Sequence, residues 1–163
     1  MLSRDEISNV IVAGSASNCD AFHMTQPDFS AKMAVNCIEN ALKRASVSCV
    51  DYVNLHGTGT QANDKMEAKA VNLTLGATFA STLKPQIGHT LGAAGAVESA
   101  ICAMLCMEEN STLPPHVYDG AYDESLEAIN LVKSGTKFDV KTAMSLSFAF
   151  GGDNAAIIFK RVR

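Results

Sequence analysis

Apolar and polar positions follow two different periods along this chain. Residues 8–14 (SNVIVAG) are a short apolar run closed by a glycine, which predicts a strand. Residues 15–29 hold Ser, Asn, Asp and Pro27 and predict a loop. From residue 31 to about 45 the spacing turns helical, with Met33, Val35, Cys37, Ile38, Ala41 and Leu42 on one face and Ser30 placed to cap it. Tyr52-Val53-Asn54-Leu55 predicts a short strand, and His56-Gly57-Thr58-Gly59-Thr60 a glycine-rich turn. A second helix is expected from about Asp64 to Leu75. Strand and helix alternate through this half, as they do in α/β folds.

Past Gly76 the pattern changes. A short segment at 78–83 leads into a loop, and then a helix from about Gly92 to Glu109 is apolar nearly all round. Such a helix belongs inside a structure, packed on more than one side. Residues 110–128 carry Pro114-Pro115 and scattered acids and predict an irregular excursion over the surface. Two apolar runs, TAMSLSFAF and AAIIFK, flank Gly151-Gly152-Asp153 and predict a hairpin beside the core. No internal repeat or linker interrupts the chain, so residues 1–163 read as a single domain.

Composition adds one unusual feature. Hydrophobic residues make up 47% of the chain, but charged residues only 18%. That is little charge for a free surface, so part of the surface should be covered by something else. Net charge is −4 with no basic block, which argues against a nucleic-acid partner. The cluster Lys160-Arg161-Val162-Arg163 is expected to be a solvated chain end. The five cysteines (19, 37, 49, 102 and 106) form no C-x-x-C pair and read as small buried hydrophobes in a reducing compartment. Residues 1–6 (MLSRDE) bring charge at once and lack the apolar core of a signal peptide. The run from Leu91 to Met107 is too short and mixed to span a bilayer. The expectation is a soluble cytoplasmic protein without membrane insertion.

Candidate chemistry gathers in three places. His56 stands where a strand meets the glycine-rich turn, either as a ligand-facing side chain or as a simple cap of that turn. The turn has neither a P-loop nor a dinucleotide-binding order. His89 precedes the apolar helix, with Gly88 before it, so its ring should face an interior cavity near a helix N-terminus, where the neutral form is favoured and can donate to an oxyanion. Glu98, two turns into the apolar helix, would be costly unpaired, and Lys84 is its natural partner. That pair is either purely structural or also orients His89. Asp64 and Glu67 fall in the first turn of the second helix, where capping suffices to explain at least Asp64. Phe148 and Phe150 share strand parity and should face the same way, as core or as the lining or gate of an acyl-sized pocket. His23, His56, His89 and His116 show no metal-site spacing, so no metal is expected.

Taken together, H-G-T-G-T with Asp64 and Glu67 behind it, K-P-Q-I-G-H-T-L-G-A-A-G with Glu98 behind it, and S-F-A-F-G-G-D-N resemble the β-ketoacyl-acyl carrier protein synthases. The loop N-C-D-A-F-H-M-T-Q-P at 18–27 resembles one of theirs as well. The resemblance implies the C-terminal half of a thiolase-like α/β fold, with a mixed sheet and a buried central helix. It implies an acyltransferase that joins an acyl thioester to malonyl-acyl carrier protein, with loss of carbon dioxide, in fatty acid or polyketide synthesis. Substrates would ride on the phosphopantetheine of acyl carrier protein, with no cofactor of the enzyme's own. By the same resemblance His56 and His89 are the two catalytic histidines, Lys84 supports the second, and Glu98 is its ionic partner. Phe150 gates the pocket beside Phe148, on the flexible turn Gly151-Gly152. The family's nucleophilic cysteine belongs to a first half that also covers the apolar helix, and none of the five cysteines here matches it. The expected partners are therefore acyl carrier protein and either a cysteine-bearing half or further copies of this chain. On its own the chain is expected to be inactive. The other reading is a non-catalytic or relic interaction subunit, in keeping with Ala149 where the family usually has glycine. Leu146 stands where asparagine is usual, and Asp153 where threonine is.

Overall fold

A computed structural model describes residues 9–162. The signal-peptide reading at 1–6, the first residue of the predicted strand and Arg163 lie outside the described residues. The elements run β1 (Val10–Cys19), α1 (Lys32–Ala45), β2 (Tyr52–Asn54), α2 (Gln61–Leu75), β3 (Phe79–Ser81), α3 (Lys84–Ile87), a 3-10 turn (Leu91–Ala93) and α4 (Ala94–Met107), then β4 (Ser111–Thr112), β5 (Asn130–Leu131), β6 (Lys137–Phe138), β7 (Thr142–Phe148) and β8 (Asp153–Arg161). Six strands form one mixed sheet in the order β1-β8-β7-β2-β3-β5, and β4 pairs with β6 apart from it.

The sheet has two characters. β7, β2, β3 and β5 run parallel, whereas β1, β8 and β7 are antiparallel neighbours. The predicted hairpin is β7–β8, paired from Thr142↔Lys160 to Phe148↔Asn154. β1 continues five residues past the predicted end at Gly14, pairing with β8 as far as Cys19↔Asp153. Its Ser15 and Ser17 are exposed. An edge strand tolerates such polar residues, which is why composition alone suggested a loop there.

α1 and α2 cover one face of the sheet. Ala34, Cys37, Ile38, Ala41 and Leu42 of α1 and Met66, Ala70, Val71 and Leu75 of α2 join Val53, Met144, Leu146 and Ile158 in one core. The alanines let α1 sit close: a Cβ on Gly14 would lie 2.6 Å from the Ala41 carbonyl oxygen, so β1 passes under the helix only as glycine. Ser30 does not cap α1; Ala31 holds the N-cap position in left-handed backbone (φ 60°) with no side-chain cap bond. α2 begins earlier than expected, capped by Thr60, whose side chain accepts from Asn63 N.

α4 lies on the opposite face, where Cys102, Leu105 and Cys106 pack with Tyr52, Leu113, Val132 and Val140. Among the described residues it is covered on this side only. Ala93, Ala96, Val97, Ala100, Met104 and Met107 are exposed, so the helix is central in composition and one-sided in packing. The expected solvated end is also corrected. Arg161 donates to the carbonyl oxygens of Cys106, Glu108 and Val140 and pairs with Asp139 at 2.8 Å, tying the end of α4 to β8. Of the cysteines, Cys37, Cys102 and Cys106 are buried as expected, but Cys19 and Cys49 are exposed. Among the described residues no helix is long and apolar enough to cross a membrane.

Candidate active site

The parallel strands β2, β3 and β7 bring their carboxyl ends to one edge of the sheet, where ligand-facing side chains gather in α/β folds. His56 follows β2, Lys84 follows β3, and Phe148 ends β7. The rings of His56 and His89 stand 5.5 Å apart at 83°, and His56 meets Phe148 edge-on at 6.1 Å. The structure therefore unites three segments that lie far apart in the chain.

Glu67 builds the turn that carries His56. It is 2% exposed, and its two oxygens accept from His56 N at 2.7 Å and Gly57 N at 2.8 Å, with Asn63 Nδ2 at 3.0 Å. Gly57 has a φ of 46°, and a Cβ there would lie 2.5 Å from Thr82 Cβ, so conformation and space both demand glycine. Asp64 has a lesser part: it accepts from Asn63 Nδ2 at 3.2 Å, while Thr60 does the capping. A cavity of about 350 Å³ opens behind this turn, with Thr58, Asp64, Lys84, His89 and His116 in its wall.

Lys84 and Glu98 form the pair anticipated from desolvation. Nζ donates to Oε1 at 2.5 Å, and both side chains are buried. Burial raises the Glu98 carboxyl above its ordinary range, and the bond to Lys84 pulls it back. His89 departs from expectation. It stands in the wall of that cavity but is exposed rather than interior, because no described residue covers the segment between α3 and α4. Its Nδ1 accepts from Leu91 N at 3.2 Å. A neutral ring held this way carries its proton on Nε2 and donates from there.

The shared facing of the two phenylalanines is corrected too. Phe148 is 7% exposed and Phe150 81%, so the two rings do not share a face. Strand parity stops at Phe148, because the chain turns through left-handed backbone at Gly151 and Gly152 (φ 89° and 83°). Sequence reasoning missed what holds that turn. Cys19 Sγ donates to Gly151 O at 3.2 Å, Gly151 N to Met24 O at 2.8 Å, and Asp20 N to Gly152 O at 2.7 Å. Asn154 Nδ2 reaches Asp20 Oδ1 at 2.7 Å. The only hint in the sequence was the density of Asn and Asp in 18–28, since the partners are more than 120 positions away.

Two buried groups titrate in opposition. Burial, helped by Lys84 and His89, lowers His56 to about 4, so its ring is neutral at neutral pH. Burial raises Glu67 to about 7 against its three hydrogen bonds. His56 adds stability above its ordinary pKa of 6.5 that is lost as pH falls towards 4. Glu67 adds stability below 4.5 that is lost as pH rises through 7. Each is worth on the order of 3 kcal/mol, and the windows overlap. The unfolding free energy should thus be nearly flat from these two groups between about pH 4.5 and 6.5. Chemical denaturation of His56→Gln should expose a fall with rising pH, and Glu67→Gln a rise.

Residues 10–118 match the family described as "Beta-ketoacyl synthase, C-terminal domain". The chain belongs to the β-ketoacyl synthases. It is 37% identical over 157 residues to 3-oxoacyl-[acyl-carrier-protein] synthase 2 of Coxiella burnetii, covering 93% of this chain and 37% of that protein. A ketosynthase solved in complex with its chain length factor, from Xenorhabdus doucetiae, superposes with a TM-score of 0.88 at 36% identity, over 96% of this chain and 40% of that one. A type II polyketide ketosynthase structure, bound to a hexaketide and in complex with acyl-carrier protein, gives 0.86 at 30%, over 95% and 39%. The thiolase-like α/β architecture of the β-ketoacyl synthases is therefore the fold of this chain. The chain spans less than half the length of the relatives it matches.

Proposed function

We propose that this chain supplies the histidine side of a decarboxylative Claisen condensation, and that a second chain or segment supplies the cysteine. The observation that carries the reading is the pair of imidazoles standing 5.5 Å apart at the carboxyl ends of the strands, His56 neutral by burial and His89 held as an Nε2 donor. A malonyl thioester carbonyl placed between them would accept two hydrogen bonds. The carbon–carbon bond to the carboxylate breaks, carbon dioxide leaves, and the electron pair forms an enolate whose oxygen those donors stabilise. The enolate carbon attacks the acyl thioester carbonyl, and the cysteine thiolate departs.

Glu67 acts through the backbone by fixing the turn that aims His56, and Lys84 with Glu98 sets the charge beside both rings. Phe148 forms a wall, and Phe150 on the Gly151-Gly152 turn guards the entrance. The reading gives the chain no cofactor or metal of its own: the thioester arm belongs to acyl carrier protein, the kind of partner carried by the polyketide ketosynthase neighbour. No cysteine here suits the acyl-transfer step. Burial pushes Cys37 and Cys106 up to about 11 and Cys102 further, Cys19 spends its S–H on the Gly151 carbonyl, and Cys49 Sγ is engaged with Thr78 Oγ1 at 3.0 Å. The same lack supports the other reading, a subunit that keeps the shape and does no chemistry.

Co-expression with a cysteine-bearing ketosynthase segment tests this. The expected result is a soluble complex of equal stoichiometry by light scattering. That complex should release carbon dioxide from malonyl-acyl carrier protein and form the 3-ketoacyl product, whereas neither part does so alone. A complex that assembles and never condenses would establish the non-catalytic reading. A chain that ignores every such partner would sink both.

A further inference from the structure

Resting on the condensation proposed above, we infer that Thr82 is a positioning residue whose hydroxyl sets the spacing of the two imidazoles. It joins the turn that carries His56 to the segment that carries His89. β2 and β3 end level with each other at Asn54↔Ser81, and Leu55 N adds a last bond to Ser81 O at 2.8 Å. Beyond that point one strand runs into His56 and the glycine-rich turn, the other into Lys84, α3 and His89. Thr82 lies where they part and is 3% exposed.

A threonine hydroxyl can donate one hydrogen bond while accepting another. Thr82 Oγ1 does both across the gap: it donates to Gly57 O at 3.4 Å and accepts from Lys84 N at 3.3 Å. Gly57 is thus held from two sides, its N–H by Glu67 and its carbonyl by Thr82. The bond from Lys84 N starts α3, because Leu83 at the N-cap has no side chain able to cap. Among the described residues no other hydrogen bond connects 56–60 with 82–92. The carbon end of the side chain has a separate duty. A Cβ on Gly57 would lie 2.7 Å from Thr82 Cγ2, so the methyl group packs against bare glycine. All these partners belong to this chain and Thr82 is already buried, so the link does not depend on what covers α4. Two donors to one oxygen tolerate little slippage: an error of about 1 Å costs on the order of a hundredfold in rate.

Two substitutions separate the hydroxyl from the shape. Thr82→Val keeps the volume and removes the oxygen, whereas Thr82→Ser keeps the oxygen and removes the methyl group. In the 163-residue chain on its own, NMR reads the edge-on contact of His56 and His89 through ring-proton shifts and cross-relaxation between the rings. That contact should persist in Thr82→Ser and be lost in Thr82→Val. Thr82→Ala should lose it as well, and replaces the valine variant if that one does not fold. In a complex that condenses, Thr82→Val should lower kcat at least about tenfold with KM for malonyl-acyl carrier protein nearly unchanged, and Thr82→Ser should restore most of the rate. A ring contact that survives in Thr82→Val or Thr82→Ala, or one already absent from the parent chain, would overturn the proposal. So would Thr82→Ser behaving like Thr82→Val, since shape and not the hydroxyl would then be what matters. The ring contact is read without condensation, so its failure is separable from failure of the proposed activity.

Discussion

Lys84→Met should destabilise the folded chain by about 3–5 kcal/mol, the largest effect expected of any single substitution at the site. The side chain itself is not the reason. Removing Nζ leaves Glu98, 1% exposed, as an uncompensated carboxylate inside the sheet–helix interface. Its Oε2 already has no hydrogen-bond partner among the described residues, so Oε1 would become the second orphan of the same carboxylate. Denaturant unfolding at neutral pH should show the full loss. Glu98 carries a raised pKa, so the variant should recover stability as pH falls and the carboxyl binds a proton. The double variant Lys84→Met, Glu98→Leu should regain most of the loss, because two apolar side chains of similar volume incur no desolvation. A single variant as stable as the parent, or a double variant no better than the single, would mean that Glu98 is hydrated and the pair incidental.

The second large effect concerns rate. In a complex that condenses, His56→Ala and His89→Ala should each lower the turnover of malonyl-acyl carrier protein by roughly 10²–10³, the usual loss for one donor to a developing oxyanion. The double variant should lose less than the product of the two, since both rings serve one oxygen. Acyl transfer to the partner's cysteine should survive in both single variants, because neither ring is given a part in that step. Release of carbon dioxide and acyl loading, measured separately, distinguish this from collapse of the site: equal losses in both would show that the histidines only hold the pocket together. His89→Ala should leave folding almost untouched, as the ring is exposed. His56→Ala should also cost stability, because it empties space beside Phe148.

Much of the site was legible because its physics is local or severe. Glu98 in an apolar helix demanded a cation within reach, and Lys84 was its natural partner. Helical spacing over 31–45 and strand runs around Gly151-Gly152 reproduced α1 and the β7–β8 hairpin almost to the residue. Glu67 was seen only as a helix-end acid. Its bonds to the backbone of His56 and Gly57 appear once α2 folds back along β2.

By itself the sequence determined which residues are apolar, which charges cannot stand alone and where the backbone needs glycine, since these follow from solvation and local sterics. It settled the alternation of strand and helix and the kinship with the β-ketoacyl synthases. The tertiary structure alone decided direction. It turned Phe150 to solvent and Phe148 to the core, drew Arg161 in from a supposed loose end, left His89 and one face of α4 uncovered, and tied Asp20 to a turn at the far end of the chain. Periodicity reports how a segment is buried, but not what buries it, and partners more than a hundred positions apart leave no mark on the pattern between them.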